Sequence, residues 1–194
     1  MKYIFTILAV AFLTATTQSQ GLYSLNYTVG FTDGETADYI SNPSFRGVSL
    51  DGRSFLTDQF SVGGYINWST FYEKFSGSFT DGTATLTSTQ YRYLNAFPVL
   101  VQAHYYLETD EYEPRAYLGA GTGAYKMVQR VEIGTWALEE NHWHFGLSPE
   151  VGVLLPVSMD SHLNISARYH YVFKVDDTIN YSWFGLSVGF TWGE

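Results

Sequence analysis

The chain contains no cysteine, so it has neither a disulfide framework nor a thiolate metal site. Charge is scarce: charged residues make up 15%, against about 25% in an ordinary soluble domain. Basic residues are scarcer still, with 10 Lys and Arg against 19 Asp and Glu and a formal charge of -9. That balance repels nucleic-acid phosphates, no basic stripe offsets it, and no nucleic-acid partner is expected. Long apolar runs are also missing. Beyond Leu13 none approaches the roughly 20 residues that a membrane-spanning helix requires.

What the chain has instead is aromatic residues, 16 Tyr, 14 Phe and 5 Trp, in a sequence whose mean hydropathy is a near-neutral -0.09. Apolar and polar residues must therefore be interleaved. Residues 1–19 read as a secretory signal: Lys2 is the positive start, Tyr3 to Leu13 the apolar run, and Thr17 and Ser19 the small residues at -3 and -1 of a cut before Gln20. Residues 20–194 then form one domain.

Alternation begins at once. Tyr23, Leu25, Tyr27, Val29 and Phe31 share one face, and Ser24, Asn26, Thr28 and Gly30 the other. The pattern recurs around 46–56, 60–72, 97–107, 115–127, 142–155, 162–173 and 184–192, giving eight segments. The fifth, rich in glycine, is the weakest, and Pro149 in the sixth predicts a bulge. Long connections (32–45, 73–90, 128–141, 174–181) alternate with short ones (57–59, 108–114, 156–161). An exported chain without spanning helices crosses a bilayer only as a closed sheet. The expectation is an all-β, eight-stranded antiparallel up-and-down transmembrane β-barrel, with lipid outside, a narrow lumen inside and the long loops extracellular. A soluble lipocalin-like barrel also closes eight strands, but its apolar face points inward.

Phe45-Arg-Gly-Val-Ser-Leu-Asp-Gly-Arg-Ser-Phe-Leu, Phe97-Pro-Val-Leu-Val, Ala116-Tyr-Leu-Gly-Ala-Gly-Thr-Gly-Ala-Tyr, Phe145-Gly-Leu-Ser-Pro-Glu-Val-Gly and Phe184-Gly-Leu-Ser-Val-Gly-Phe-Thr-Trp span nearly all of the mature chain. Together they resemble the small outer-membrane β-barrels, the opacity-protein and OmpA/OmpX-type group. The resemblance implies a Gram-negative outer-membrane protein, a monomer, surrounded by outer-membrane lipid and lipopolysaccharide. It also implies assembly by the barrel-insertion machinery, which recognises a terminal aromatic; here Trp192 is followed by Gly193 and Glu194.

Four charged residues have inward parity: Asp51, Arg53, Glu150 and Arg168. The resemblance implies that they pair inside the barrel, and the two acids and two bases balance. His142 and His144 share a face, with His104 and His170 also inward, but spacing fixes no third metal ligand, so they read as lumenal filler and no cofactor is expected. Some small barrels modify lipid A, which needs a nucleophile beside a base. The nearest material is His162 with Ser158, Ser161 and Asp160, all in a short connection on the periplasmic side. Asn26, Asn67, Asn164 and Asn180 each begin an Asn-x-Ser/Thr triplet, the first three as polar pairs of the lumen face. The expected role is structural or one of surface interaction without catalysis, with an unknown ligand meeting residues 73–90; a lipid-modifying enzyme is the alternative.

Overall fold

The computed structural model describes residues 21–193 except 82–83, 110–112, 134–135 and 177, with the side chains of 77–88 also outside the description. The signal segment 1–19 and the cut before Gln20 lie outside the described residues. The elements are β1 (Gly21–Asp33), α1 (Gly34–Tyr39), β2 (Ser44–Thr57), β3 (Phe60–Asp81), β4 (Ala84–Tyr106), β5 (Arg115–Ile133), β6 (Trp136–Ser158), β7 (Ser161–Val172) and β8 (Tyr181–Trp192). Each strand pairs antiparallel with the next, and β8 returns to β1, so the sheet closes into a barrel.

The register fixes the dimensions. Stepping across paired residues from Asp33 through Ser182, Tyr171, Leu147, Thr122, Val101, Gly64 and Gly52 returns to β1 at Tyr23, ten residues from the start. With a rise of about 3.3 Å and strands about 4.8 Å apart, that stagger over the eight strands tilts them by about 40° and gives a backbone radius of roughly 8 Å. Side chains fill such a space. The alternation then sorts residues by face, and the apolar face is the outer one, the inverse of a soluble barrel. Leu25, Leu50, Ile66, Val99, Leu118, Leu147, Val151, Ile165, Leu186 and Val188 are all exposed. Aromatics flank this aliphatic band. At the end holding the termini, Tyr23 pairs with Trp192 and Phe60 with Tyr105; at the other, Phe31 pairs with Phe184 and Trp68 stacks on Phe97. An aliphatic belt between two aromatic girdles is the surface that matches a bilayer.

Two sequence expectations need correction. Residues 73–90 and 128–141 are largely strand, not loop: β3 and β4 pair up to Asp81–Ala84, and β5 and β6 up to Ile133–Trp136. Beyond the upper girdle, β3 to β6 therefore continue as a paired four-stranded wall. Nor does Pro149 make a bulge. Its partners keep one register on β5, and on β7 the register runs unchanged from Leu147–Tyr171 to Glu150–Arg168, because a missing N–H removes a bond without inserting a residue; the shift falls between Pro156 and Ser158. The fifth segment, weakest in its alternation, is a strand as expected and spans 19 residues paired on both sides. Gly119 seats a ring from the neighbouring strand: a Cβ there would lie 2.5 Å from the His104 ring opposite it.

The connection after β1 folds over the upper opening. A six-residue helix does not hold itself in water, and α1 is tied down by β8: the Ser182 N–H donates to Thr36 Oγ1 (2.8 Å) and the Asn180 N–H to Glu35 Oε2 (2.8 Å). Gly34 (φ +53°) makes the entry that a side chain would strain. Ile40 is wholly buried beneath, and Arg92 donates to the Tyr39 carbonyl (3.1 Å). Burial raises the Tyr39 hydroxyl above its ordinary pKa, against the opposing pull of Arg92.

Candidate functional site

Asp51, Arg53, Glu150 and Arg168 are all buried in the lumen, on β2, β6 and β7. Arg53 Nε donates to Asp51 Oδ1 at 2.8 Å, a pair two residues apart on the same face of β2. Glu150 and Arg168 face each other across the β6–β7 ladder, with Arg168 Nη2 donating to Glu150 Oε2. The two ion pairs are joined by a residue that parity alone did not single out. The Tyr117 hydroxyl accepts from Arg53 Nη2 (3.3 Å) and lies within reach of Glu150 Oε1 (3.2 Å) and Asn164 Oδ1 (2.9 Å), its one proton serving one of them.

Neutral groups complete the layer. Arg53 Nη1 donates to the Tyr106 hydroxyl (3.1 Å), and Arg168 reaches Gln102 Oε1 (2.9 Å) and Ser148 Oγ (3.3 Å). Both guanidiniums lie over rings, Arg53 at 4.5 Å from the Tyr117 centroid and Arg168 at 3.9 Å from that of Tyr65. His104 Nε2 sits 3.2 Å from Glu150 Oε2, so it carries a proton toward the carboxylate. Asn26 donates to Asp51 Oδ2 (3.4 Å) and accepts from Asn164 (3.0 Å), closing the circuit around the wall. Asn67 is buried in the same lumen.

Apolar layers lie on both sides of this polar one. Above it pack Tyr65, Phe71, Leu94, Leu100, Tyr125, Met127, Tyr181 and Trp183, with Ile40 from the cap; below it pack Leu22, Tyr106, Tyr117 and Leu154, with Phe55 against them. The small, polar inward face of β1, with Ser24, Asn26 and Thr28, does not continue around the whole lumen. The lumen is aromatic at both ends: above, Phe71 lies over Gly30, Tyr125 over Gly146 and Trp183 on His170, and below, Tyr117 lies over Gly152. His170 belongs to the upper layer, stacked on Trp183 at 4.4 Å and bonded to the Tyr125 hydroxyl at 3.0 Å.

The other candidate groups do not converge. His142 and His144 meet edge-to-face at 6.3 Å, and His144 Nδ1 bonds the Phe173 carbonyl at 3.0 Å. Among the described residues, no three His, Asp or Glu side chains stand where they could hold a metal ion. His162 lines a cavity of about 780 Å³ at the lower mouth together with Asp160 and Arg115. Among the described residues, no hydrogen bond joins His162 to Asp160, Ser158 or Ser161.

No protein-family model and no curated protein matches the sequence. The fold is similar to solved structures. Neisserial surface protein A is 16% identical over 90% of this chain and 97% of that one, with a TM-score of 0.59. Ail, the attachment invasion locus protein of Yersinia pestis, solved with the heparin analogue sucrose octasulfate, is 16% identical over 90% and 97%, with a TM-score of 0.50. The outer membrane protease OmpT from Escherichia coli is 7% identical over 92% and 98%, with a TM-score of 0.52. At these identities the likeness is one of fold. In fold the chain is an eight-stranded transmembrane β-barrel of the outer-membrane type, similar to the small opacity-protein and OmpA/OmpX-type barrels.

Proposed function

We propose that this protein is a closed anchor in a Gram-negative outer membrane that presents an interaction surface to the outside, without catalysis. The single observation that carries the reading is the wall built by β3 to β6 beyond the upper girdle. Nine residues of β3, from Glu73 to Asp81, pair with β4 there, roughly 30 Å of strand that no bilayer requires. On its concave side Trp136 and Leu138 are 80% and 71% exposed, with Phe75 and Ile133 beside them on the same face. Exposed apolar side chains on a rigid sheet favour a partner. Whatever ligand is met at residues 73–90 is then read by a sheet face and its edge rather than by a flexible loop.

The closed lumen supports an anchor rather than a channel. Each of its four charges has an opposite charge beside it, and apolar layers lie above and below, so an ion would have to break a paired network to pass. The test uses cells displaying the protein. Replacing 76–89 by a two-residue turn, or Trp136→Ser with Leu138→Ser, is expected to leave the barrel folded and abolish adhesion to protein- and glycan-coated surfaces. Unchanged adhesion in both variants contradicts the interaction role, and a steady conductance of the purified wild type in planar bilayers contradicts the closed lumen.

A further inference from the structure

The few basic side chains are unevenly placed. Arg53 and Arg168 lie in the lumen, and Arg92 and Arg115 stack on rings at its two ends. Arg46, Lys74, Lys126 and Arg130, which alternate outward, all fall on β2 to β5, and among the described residues β1, β6, β7 and β8 carry no outward lysine or arginine. Apart from Lys174, exposed in the β7–β8 connection, a chain of net charge -9 thus gathers its outer cations among the described residues on one flank.

Two of them, Arg46 and Arg130, open into one cavity of about 650 Å³ on the outer surface, lined also by Trp68, Tyr93, Asn95 and Glu132. Arg46 alternates outward from Val48, a register shift opposite Thr28 and Gly30 leaves Phe45 exposed beside it, and the Arg46 N–H is held by Ser44 Oγ (3.2 Å). Among the described residues Arg46 has no carboxylate partner. Arg130 is braced by Glu132 (2.7 Å) and Glu139 (3.9 Å). Thr70, also in the lining, donates to Asn95 Oδ1 (2.7 Å) on the outer face, one outward step above the stacked Trp68 and Phe97. Facing acyl chains, that polar pair would lose water without replacement. Above an aromatic girdle it stands at headgroup level.

We propose that this cavity holds the phosphorylated sugar headgroup of an outer-leaflet glycolipid, lipopolysaccharide. Arg46 and Arg130 take the phosphate. The rings of Trp68 and Tyr93 offer an apolar face to a sugar, and Thr70, Asn95 and Glu132 offer hydrogen-bonding partners to its hydroxyls. A membrane barrel always has lipid against its outer face, so the occupant is supplied by its surroundings. The assignment rests on the outer-membrane placement proposed above, and the test keeps the two apart.

Purified protein in a zwitterionic detergent is titrated with lipopolysaccharide, with phosphatidylglycerol as the anionic lipid lacking a sugar, and tryptophan emission is read. The wild type is expected to give a saturable change with lipopolysaccharide that Trp68→Phe removes. Each cation at a membrane surface contributes about fivefold in affinity, so Arg46→Gln with Arg130→Gln is expected to weaken binding by about twenty-fivefold. Lys74→Gln, on the same flank but outside the cavity lining, should change it less than twofold. A double variant within twofold of wild type overturns the site. So does a Lys74→Gln loss equal to that of the arginine double variant, or equal affinity for phosphatidylglycerol. Both arginines are exposed and outside the lumen network, so the variants should keep the mobility difference between heated and unheated samples that marks a folded barrel. Absence of that difference in the wild type itself would refute the membrane placement instead.

Discussion

Glu150 is the acceptor on which the lumen network turns, and its removal is the perturbation with the largest expected effect. One carboxylate receives Arg168 Nη2 and His104 Nε2 on Oε2 and lies 3.2 Å from the Tyr117 hydroxyl on Oε1. In Glu150→Gln the shape is kept and the charge is lost. Arg168 then keeps only the neutral Gln102 and Ser148, in a layer sealed above and below by apolar side chains. Breaking a buried ion pair from one side costs about 3–5 kcal/mol because the remaining charge is uncompensated. With a urea dependence of about 2 kcal/mol per molar, the unfolding midpoint in lipid vesicles should fall by about 1.5–2.5 M. Arg168→Met alone strands the carboxylate and should cost a similar amount. The double variant should cost less than the sum by about 1–3 kcal/mol, since neither stranded charge is left. Tryptophan emission and the heated-against-unheated mobility shift give two readouts of the same transition. Single-variant costs that add to within about 0.5 kcal/mol, or a Glu150→Gln barrel as stable as wild type, would refute the account of the lumen.

Other outcomes follow from the same geometry. Leu186 faces outward within the aliphatic belt, so Leu186→Arg should lower folded yield through a penalty of about 2–4 kcal/mol, whereas Leu186→Phe should assemble normally. Ser187, its inward neighbour, shares a 2.8 Å hydrogen bond with Thr28 in filled space, so Ser187→Thr should be tolerated and Ser187→Arg rejected; mobility-shift yields check all four. Thr36→Val removes the acceptor of the Ser182 N–H and should loosen the cap by about 1 kcal/mol, seen as roughly fivefold faster amide exchange at Asn180 and Ser182 with the strand core unaffected. Protein extracted from membranes should begin at Gln20 on N-terminal sequencing; a start at Met1 contradicts export by cleavage.

The eight strands were legible because lipid imposes a contrast that period-two reading detects. Tyr23, Leu25 and Tyr27 against Ser24, Asn26 and Thr28 leave no doubt about faces. Above the bilayer that contrast ends. Residues 73–90, rich in Gly, Ser and Thr, then look like a loop, although their pairing across the β3–β4 ladder continues to Asp81–Ala84. Parity also sufficed to turn Asp51, Arg53, Glu150 and Arg168 inward. Which of them meet depends on the ten-residue stagger, which no single strand encodes; that is why Tyr117, Tyr106, Gln102 and Tyr65 were invisible as their partners. The aromatic ends of the lumen escaped for a related reason. Trp183 fits inside by stacking on His170, its partner on β7, and Phe71 and Tyr125 fit because Gly30 and Gly146 leave room for their rings, a property of several strands together.

The central claim is that one face of every strand meets lipid and the other meets a filled interior. The absence of cysteine allows a clean scan of it. Single cysteines placed one at a time from Trp183 to Phe190 of β8, each spin-labelled in vesicles, can be probed by collision with oxygen, which concentrates in lipid, and with a water-soluble nickel complex. The structure requires high oxygen access at positions 184, 186, 188 and 190 and low access to both reagents at 183, 185, 187 and 189. A 3.6-residue period, or ready access of the nickel complex to the second set, would contradict a closed membrane barrel with a filled lumen.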